Sequence, residues 1–541
     1  MDKQPLRCVM EFRDEITVEV FVLCYNSSIQ TKGGKDMSSF SKKEYLSLKM
    51  PTEEAAISDQ RRIELALNVL GYEQVTFPLQ VLRKLYPLCR NGDFDITVTL
   101  VHREFDWVVT HVEAGDTTAH HYGLAVDYGS TMIVMQLVDL NSGAVIAEER
   151  AVNGQVAYGT DILTRITYTQ ESSDHALDLQ RVTTDTFRQL LDQLTDATSI
   201  DAGNCPVMIV SGNTTMIHFL LGLDAWTVFA SPFAPVTADP GFFWGRELGI
   251  DFQGLVYIVP AASNYVGGDI VSGLLALDIH KKEETNLFFD IGTNGELVIG
   301  NKDWMVAGAG AAGPALEGYI SKFGMRAAPG AIDSVKIQGG DLSFTTIDNQ
   351  KPVGICGSGI IDLLAQMRIN GWIDMAGTLE PSASDRIIYL PEEKEYAAVY
   401  ATAADGTPLY FSQTDIHQYL DTKAAAYTMV DCILETAGVS TDDVTHLYLS
   451  GAFPAHSDLE SAITIGIFPD LPRQKYRLVK NTSLEGARIL LLDHDRLSEA
   501  KELAENIYCV QFASFPDFLV RMQAAKFIPH TDLGRFPSVK I

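Results

Sequence analysis

The sequence predicts an α/β protein organised as two lobes, and two observations make that prediction. The first is a repeated device: an apolar run that ends in aspartate, turns through Gly and Ser/Thr, and resumes as alternating apolar residues. Leu124-Ala125-Val126 leads into Asp127, Gly129, Ser130 and Thr131 before Ile133-Val134-Met135. Leu287-Phe288-Phe289 leads into Asp290, Gly292, Thr293 and Asn294 before Leu297 and Ile299. Each reads as strand, tight polar turn and strand, with a carboxylate at the strand end. The second observation is the order of elements after the first device: strand, strand, strand, helix, strand, helix. That order describes an α/β layer, not a bundle or an all-β sandwich.

Taken in chain order, residues 1–50 form a small N-terminal segment, with a strand pattern at Ile16–Leu23 and a Lys/Ser-rich stretch from Asn26 to Lys43. Residues 51–120 read as an α+β accessory domain. Helical spacing covers Glu53–Leu70 and Pro78–Leu88, and Ile96–Val101 and Trp107–Val112 alternate like paired strands. The first lobe, residues 121–282, holds the Asp127 hairpin, a strand at 144–149, the segment Asn153–Ile166 and an amphipathic helix at 175–195. A buried strand at 206–210, a Pro/Gly-rich loop at 231–249, a strand at 255–259 and a helix after Asp269 complete it. The second lobe, residues 283–541, holds the Asp290 hairpin, a loop Gly354–Gly359 opening a helix to about Gly371, and an insertion near 375–413. A long helix at 414–437, a strand at 446–450, helices at 457–465 and 482–506, a strand at 507–511 and a last helix follow.

The 541 residues exceed one ordinary domain, and a hydrophobic share of 46% with 21% charged suits a chain that buries a large core. A formal charge of −29 argues against nucleic acid and anionic membrane as partners. It is read as surface solvation, with a basic protein partner as the alternative. The charged start MDKQPLRCVMEFRDE lacks the apolar core of a signal peptide, and no run approaches a membrane span, so a cytoplasmic location is expected. The seven cysteines (Cys8, Cys24, Cys89, Cys205, Cys356, Cys432, Cys509) show neither zinc nor iron–sulfur spacing and read as reduced, mostly buried thiols.

A lone Asp-x-Gly-Thr is a common turn. Two copies, one lobe apart, point instead to two facing lobes that share a nucleotide site. Ser130, Thr131, Thr293 and Asn294, with the turn amides and Gly129 and Gly292, would hold phosphates. Asp127 and Asp290 would position the water shell of a magnesium ion, which binds few carboxylates and keeps most of its water. Phosphoryl transfer needs mainly such positioning. Gly308-Ala-Gly310-Ala-Ala-Gly313 spells the dinucleotide fingerprint G-x-G-x-x-G, and Asp333 lies at the matching distance. Asp333, however, reads as part of a turn, APGAID, and not as a strand end. The preferred reading is therefore a loop and helix start, with Gly310 and Gly313, closing over the nucleotide. Glu317 reads as a catalytic or ribose-binding group, or as a carboxylate favouring the helix N-terminus; both readings stay open. Gly451, at the end of a buried strand, suits close approach of backbone to adenine.

The two hairpins resemble those of the superfamily of acetate and sugar kinases, Hsp70 chaperones and actin. The ordered set GLAVDYGSTMIVMQLVDL, Asn153–Ile166, SGNTTM, SPFAPV, VGGDI, DIGTNGELVIG, AAGPALEG, FGMRAAPGAI and GICGSGIID resembles, more narrowly, the ATP-dependent reductive activators of corrinoid proteins. That resemblance spans roughly residues 75–541. It implies a two-lobed actin/Hsp70-like ATPase fold with duplicated ribonuclease-H-like lobes, and ATP with Mg2+ as cofactors. It further implies an activity in which ATP binding and hydrolysis drive reduction of cob(II)alamin to cob(I)alamin in the corrinoid protein of a methyltransferase system.

The resemblance matches Asp127, Gly129, Ser130 and Thr131 to the first phosphate motif and Asp290, Gly292, Thr293 and Asn294 to the second. Gly313 and Glu317 match the helix-start motif. The chain departs from the family in three ways: it has no iron–sulfur cysteine cluster, it has Gly308-Ala309 where a Cys-Ser pair is usual, and it has Gly451-Ala-Phe-Pro454 where Gly-Gly-Phe-Gly is usual. A separate iron–sulfur protein is then expected to supply electrons, and homodimer formation is left open. The alternatives are a small-molecule kinase of the same superfamily and a non-catalytic, nucleotide-gated partner-binding protein.

Overall fold

The computed structural model describes residues 6–11, 17–22 and 39–540, apart from 173, 293, 311–317, 319 and 452–456. The chain divides into two compact units, Met1–Ala276 with Ser483–Glu505, and Leu277–Thr482 with Asn506–Ile541.

Unit one opens with strands β1 (Leu6–Glu11), β2 (Thr17–Val22) and β3 (Ser41–Ser47), helix α1 (Asp59–Val69), β4 (Val75–Thr76) and α2 (Leu79–Asn91). Strands β5 (Asp95–His102) and β6 (Trp107–Ala114) complete a six-stranded sheet in the order β1-β2-β3-β5-β6-β4. Helix α1 starts later than its apolar spacing suggests because Ser58 caps it, its side chain accepting from Arg61 N. Such a cap contributes about 1 kcal/mol. Side chains of α1, α2, β5 and β6, among them Ile63, Leu67, Leu85, Ile96, Val98 and Val109, form the core of this layer.

The second sheet of unit one positions the first hairpin. Strands β7 (Tyr122–Tyr128), β8 (Met132–Asp139) and β9 (Val145–Val152) form an antiparallel meander. Helices α3 (Ile162–Glu171) and α4 (His175–Thr198) then carry the chain to β10 (Val207–Gly212), parallel to β7. After α5 (Thr214–Leu220) and α6 (Trp226–Phe229), β11 (Gly241–Trp244) pairs antiparallel with β12 (Leu255–Ile258), which runs parallel to β10. The stretch 231–249 is thus not all loop: Phe242–Trp244 add an edge strand. Helix α7 (Gly268–Leu277) ends this part.

Unit two repeats the plan. Strands β13 (Asn286–Ile291), β14 (Gly295–Gly300) and β15 (Met305–Gly310) form the meander. A small sheet, β16 (Ala331–Gln338), β17 (Asp341–Thr346) and β18 (Gly354–Ile355), precedes α8 (Gly357–Ile369). A second three-stranded sheet, β19 (Ile387–Leu390), β20 (Glu395–Thr402) and β21 (Pro408–Ser412), precedes α9 (Gln413–Ala437). Strand β22 (His446–Ser450) then lies parallel to β13. Helix α10 (Leu459–Ile465) follows, and β23 (Tyr476–Leu478) lies parallel to β22.

Residues 482–506, which the sequence presents as one helix, form α11 (Thr482–Leu492) and α12 (Arg496–Asn506). Asp493 breaks them by accepting from Asp495 N, a local turn that competes with the helix. From Ser483 on, these helices pack in unit one: a Cβ on Gly486 would lie 2.0 Å from the Ser272 carbonyl oxygen. Strand β24 (Tyr508–Gln511) and α13 (Phe518–Ala525) return to unit two, with β24 parallel to β15.

The orders β9-β8-β7-β10-β12 and β15-β14-β13-β22-β23 are the same ribonuclease-H-like topology, one lobe in each unit. In both, inner strands are buried on two faces, which is why Val207–Gly212 of β10 and Leu287–Phe289 of β13 read as continuous apolar runs. Among the described residues, no helix is long and apolar enough to cross a membrane.

Candidate nucleotide site

In unit one, Asp127 stands near the carboxyl end of β7, in register with Ser211 on parallel β10. Ligands of open α/β sheets gather at such strand ends. The Ser483 hydroxyl, at the start of α11, donates to Asp127 Oδ1 (2.8 Å) and lies 3.0 Å from Ser211 Oγ. Ser211 Oγ in turn lies 2.9 Å from Ser272 Oγ and donates to the Gly268 carbonyl (3.1 Å). Gly267 lets this corner close, because a Cβ there would meet Asn213 Cα at 2.4 Å. It also brings half-buried Asp269, in the first turn of α7, to the same end of the sheet.

The turn after Asp127 is held from beneath. Asn153 Nδ2 donates to the Gly129 carbonyl (3.0 Å), and Arg165 Nη1 donates to the Ser130 carbonyl (2.7 Å). Asn153 also caps its own turn by accepting from Gln155 N (3.0 Å), and Asp161 caps α3 by accepting from Thr164 N. Gln155 Nε2 donates to Thr183 Oγ1 (2.6 Å) and to Tyr128 Oη (3.0 Å), so the buried Tyr128 phenol is fully engaged. Burial raises the Tyr128 pKa further, keeping the phenol neutral. Gly129, Ser130 and Thr131 remain half-buried above this layer.

In unit two, Asp290 faces Ser450 across parallel β22 and Glu296 across antiparallel β14. The turn closes with Gly292 N donating to the Asn294 carbonyl (2.9 Å). Ser450 Oγ lies 3.1 Å from Thr482 Oγ1. Gly451 has φ +102°, and a Cβ there would come to 2.1 Å from the Ile291 carbonyl oxygen, so this position beside the hairpin requires glycine.

Two sequence readings change here. Gly308, Ala309 and Gly310 form part of β15, not of a loop. Their small size serves packing: a Cβ on Gly308 would meet the Phe512 ring at 2.6 Å, and one on Gly310 would meet Met429 Sδ at 2.2 Å. Asp333 lies within β16 and accepts from Thr345 Oγ1 (2.6 Å), so the turn expected at APGAID ends before it and the dinucleotide fingerprint has no structural basis. Thr293, Gly313 and Glu317 lie outside the described residues. Cys89, Cys205, Cys356 and Cys432 are buried free thiols and Cys509 is half-buried.

Sequence reasoning left Ser211, Asn153 and Arg165 without roles, although all three sit in motifs it singled out. It had no signal at all for Ser483, 356 residues from Asp127.

Three consecutive stretches match parts of one family: residues 31–119 the RACo linker region, 122–282 the RACo middle region, and 284–540 the C-terminal domain of RACo, the ASKHA domain. A solved structure described as a reductive activator for corrinoid, iron–sulfur protein superposes with a TM-score of 0.85 at 34% identity. It covers 93% of this chain, and the match spans 81% of that one. The chain belongs to the reductive activators of corrinoid proteins. Two relatives agree. The corrinoid activation enzyme RamQ of Eubacterium limosum is 28% identical over 82% of this chain and 79% of its own length. A Methanosarcina barkeri reductase of the Co(II) methylated amine-specific corrinoid protein is 24% identical over 71% of this chain and 73% of its own. The ASKHA assignment accords with the duplicated lobes and makes nucleotide binding the role of the fold.

Proposed function

We propose that this protein is an ATPase that drives reduction of cob(II)alamin to cob(I)alamin in the corrinoid protein of a methyltransferase system. The carrying observation is its family membership, to which the paired Asp-x-Gly hairpins give a chemical basis. ATP with Mg2+ supplies the free energy for an electron transfer that is otherwise uphill. The residues fit such a ligand: each lobe ends a central strand in a carboxylate beside a turn of glycine, hydroxyl and amide groups.

Asp127 and Asp290 would hold a magnesium ion through its water shell. The Ser483 hydroxyl donates to Asp127 Oδ1 and so helps to orient that carboxylate. Ser130, Thr131, Thr293 and Asn294 would serve phosphate oxygens, Gly313 and Glu317 carry the motif read as nucleotide-binding and catalytic, and Gly451 would let backbone approach the base. The single electron comes from a separate iron–sulfur protein, a reading supported by the scattered cysteines of this sequence.

The test is to mix the protein with a cob(II)alamin-loaded corrinoid protein, ATP and a low-potential reductant. An ATP-dependent cob(I)alamin absorption band is expected. Its absence with every cognate corrinoid partner would sink the redox role.

A further inference from the structure

Arg165 is fully buried, yet among the described residues no carboxylate is bonded to it. Its Nε donates to the Gly159 carbonyl (2.9 Å), and its Nη1 donates to the Ser130 carbonyl (2.7 Å) and to Gln155 Oε1 (3.3 Å). Its Nη2 has no hydrogen-bond partner among the described residues. Asp161, the acid that bears on it electrostatically, spends both oxygens on Thr164, at 2.8 Å from N and 2.7 Å from Oγ1. Asp161 therefore meets the Arg165 charge only through space and not by a direct ion pair, an arrangement that is costly in a protein interior. Burial pulls its pKa down, but a guanidinium stays protonated.

The direction of these bonds fixes the turn. In a trans peptide the carbonyl and the following amide N–H point opposite ways. With the Ser130 carbonyl drawn inward by Arg165, Thr131 N–H points outward. With the Gly129 carbonyl drawn inward by Asn153, Ser130 N–H does the same. Two successive outward amides offer donors to an anion, and the Arg165 guanidinium lies on the other side of the same peptide. The planar fork of arginine spans two carbonyls at once, which a lysine ammonium does not reproduce. Gly159 permits that reach, since a Cβ there would stand 3.2 Å from Arg165 Cγ and 2.8 Å from Thr164 Cγ2.

We propose that Arg165 is a positioning residue for phosphate. It orients the amides of the Ser130–Thr131 turn toward the nucleotide's phosphate oxygens and supplies the positive charge that those oxygens neutralise. The inference rests on the reading of the Asp127 hairpin as a phosphate turn, and the experiment separates the two.

Titration calorimetry with ATP and with adenosine is run on the wild-type protein, Arg165→Met and Arg165→Lys, with circular dichroism as the check on folding. Arg165→Met is expected to weaken ATP binding by about tenfold or more while adenosine affinity stays within about twofold, because only the charged ligand loses its partner. Arg165→Lys, which keeps the charge without the fork, is expected to weaken ATP by about threefold. Equal weakening of ATP and adenosine, or unchanged ATP binding, overturns the role. If Arg165→Met does not fold, Arg165→Lys decides by the same ratio. A wild-type protein that binds no ATP sinks the nucleotide reading itself; one that binds ATP and ignores both substitutions sinks only the role of Arg165.

Discussion

The two hairpins occupy equivalent places in duplicated lobes, yet they are supported in different ways. The Asp127 turn rests on a buried polar layer of Asn153, Gln155, Tyr128, Thr183 and Arg165. Among the described residues, Gly451 lies on the Ile291 carbonyl of the Asp290 hairpin, and the hairpin's aspartate faces a buried Glu296 where Asp127 faces Val134. The shared register, Asp beside Ser and then Gly, is therefore what the fold requires. The support beneath is where the two copies diverged. One turn rests on a layer of side chains; the other is approached by Gly451, a position that tolerates no Cβ.

The broadest test of the equivalence is to remove each carboxylate. Asp127→Ala and Asp290→Ala are each expected to lower ATP turnover by about a hundredfold or more, in a phosphate-release assay. Retained turnover in either variant would break the pairing of the two lobes. A smaller and asymmetric effect is expected at the matched glycines. Gly451→Ala, strained by its positive φ and the 2.1 Å approach, should cost about 3 kcal/mol in denaturant unfolding. Gly212→Ala, whose Cβ would stand 2.9 Å from the Tyr128 carbonyl oxygen without such a φ, should cost about 1 kcal/mol. Equal costs would remove the distinction between the two supports.

Within the polar layer, Gln155→Leu strips Tyr128 and Thr183 of a donor and should cost about 1–2 kcal/mol, measured the same way. The smallest effect is one of pH. Burial pushes His111 down to about 4 and His121 down to about 3, so both are neutral when folded. The unfolded chain takes up those protons near pH 6.5, so stability is full above that value and declines as pH falls toward 4. His121→Gln should flatten the fall of the unfolding midpoint between pH 6.5 and 4; an unchanged slope would assign it to other groups.

Much of this was legible in the sequence, because its signals were local. Alternation with period 2 and the Gly/Ser/Thr turns located both hairpins, and the apolar runs located their central strands. The failures were local rules overridden by packing. The glycines of Gly308–Gly310 imitate a phosphate loop, but they are glycines because Phe512 and Met429 press on that strand. Helix periodicity ran unbroken through 482–506, and only the Asp493 turn divides it.

What the sequence by itself determined was the duplicated lobe and the two carboxylates at its strand ends, since these follow from residue order over a few positions. Tertiary structure alone decided which hydroxyl holds Asp127 and which cation lies under Ser130. Ser483 meets Asp127 across 356 positions and Arg165 meets Ser130 across 35. Pairings at such separations leave no periodic trace in a sequence; they exist only once the chain has closed its loops around a common core.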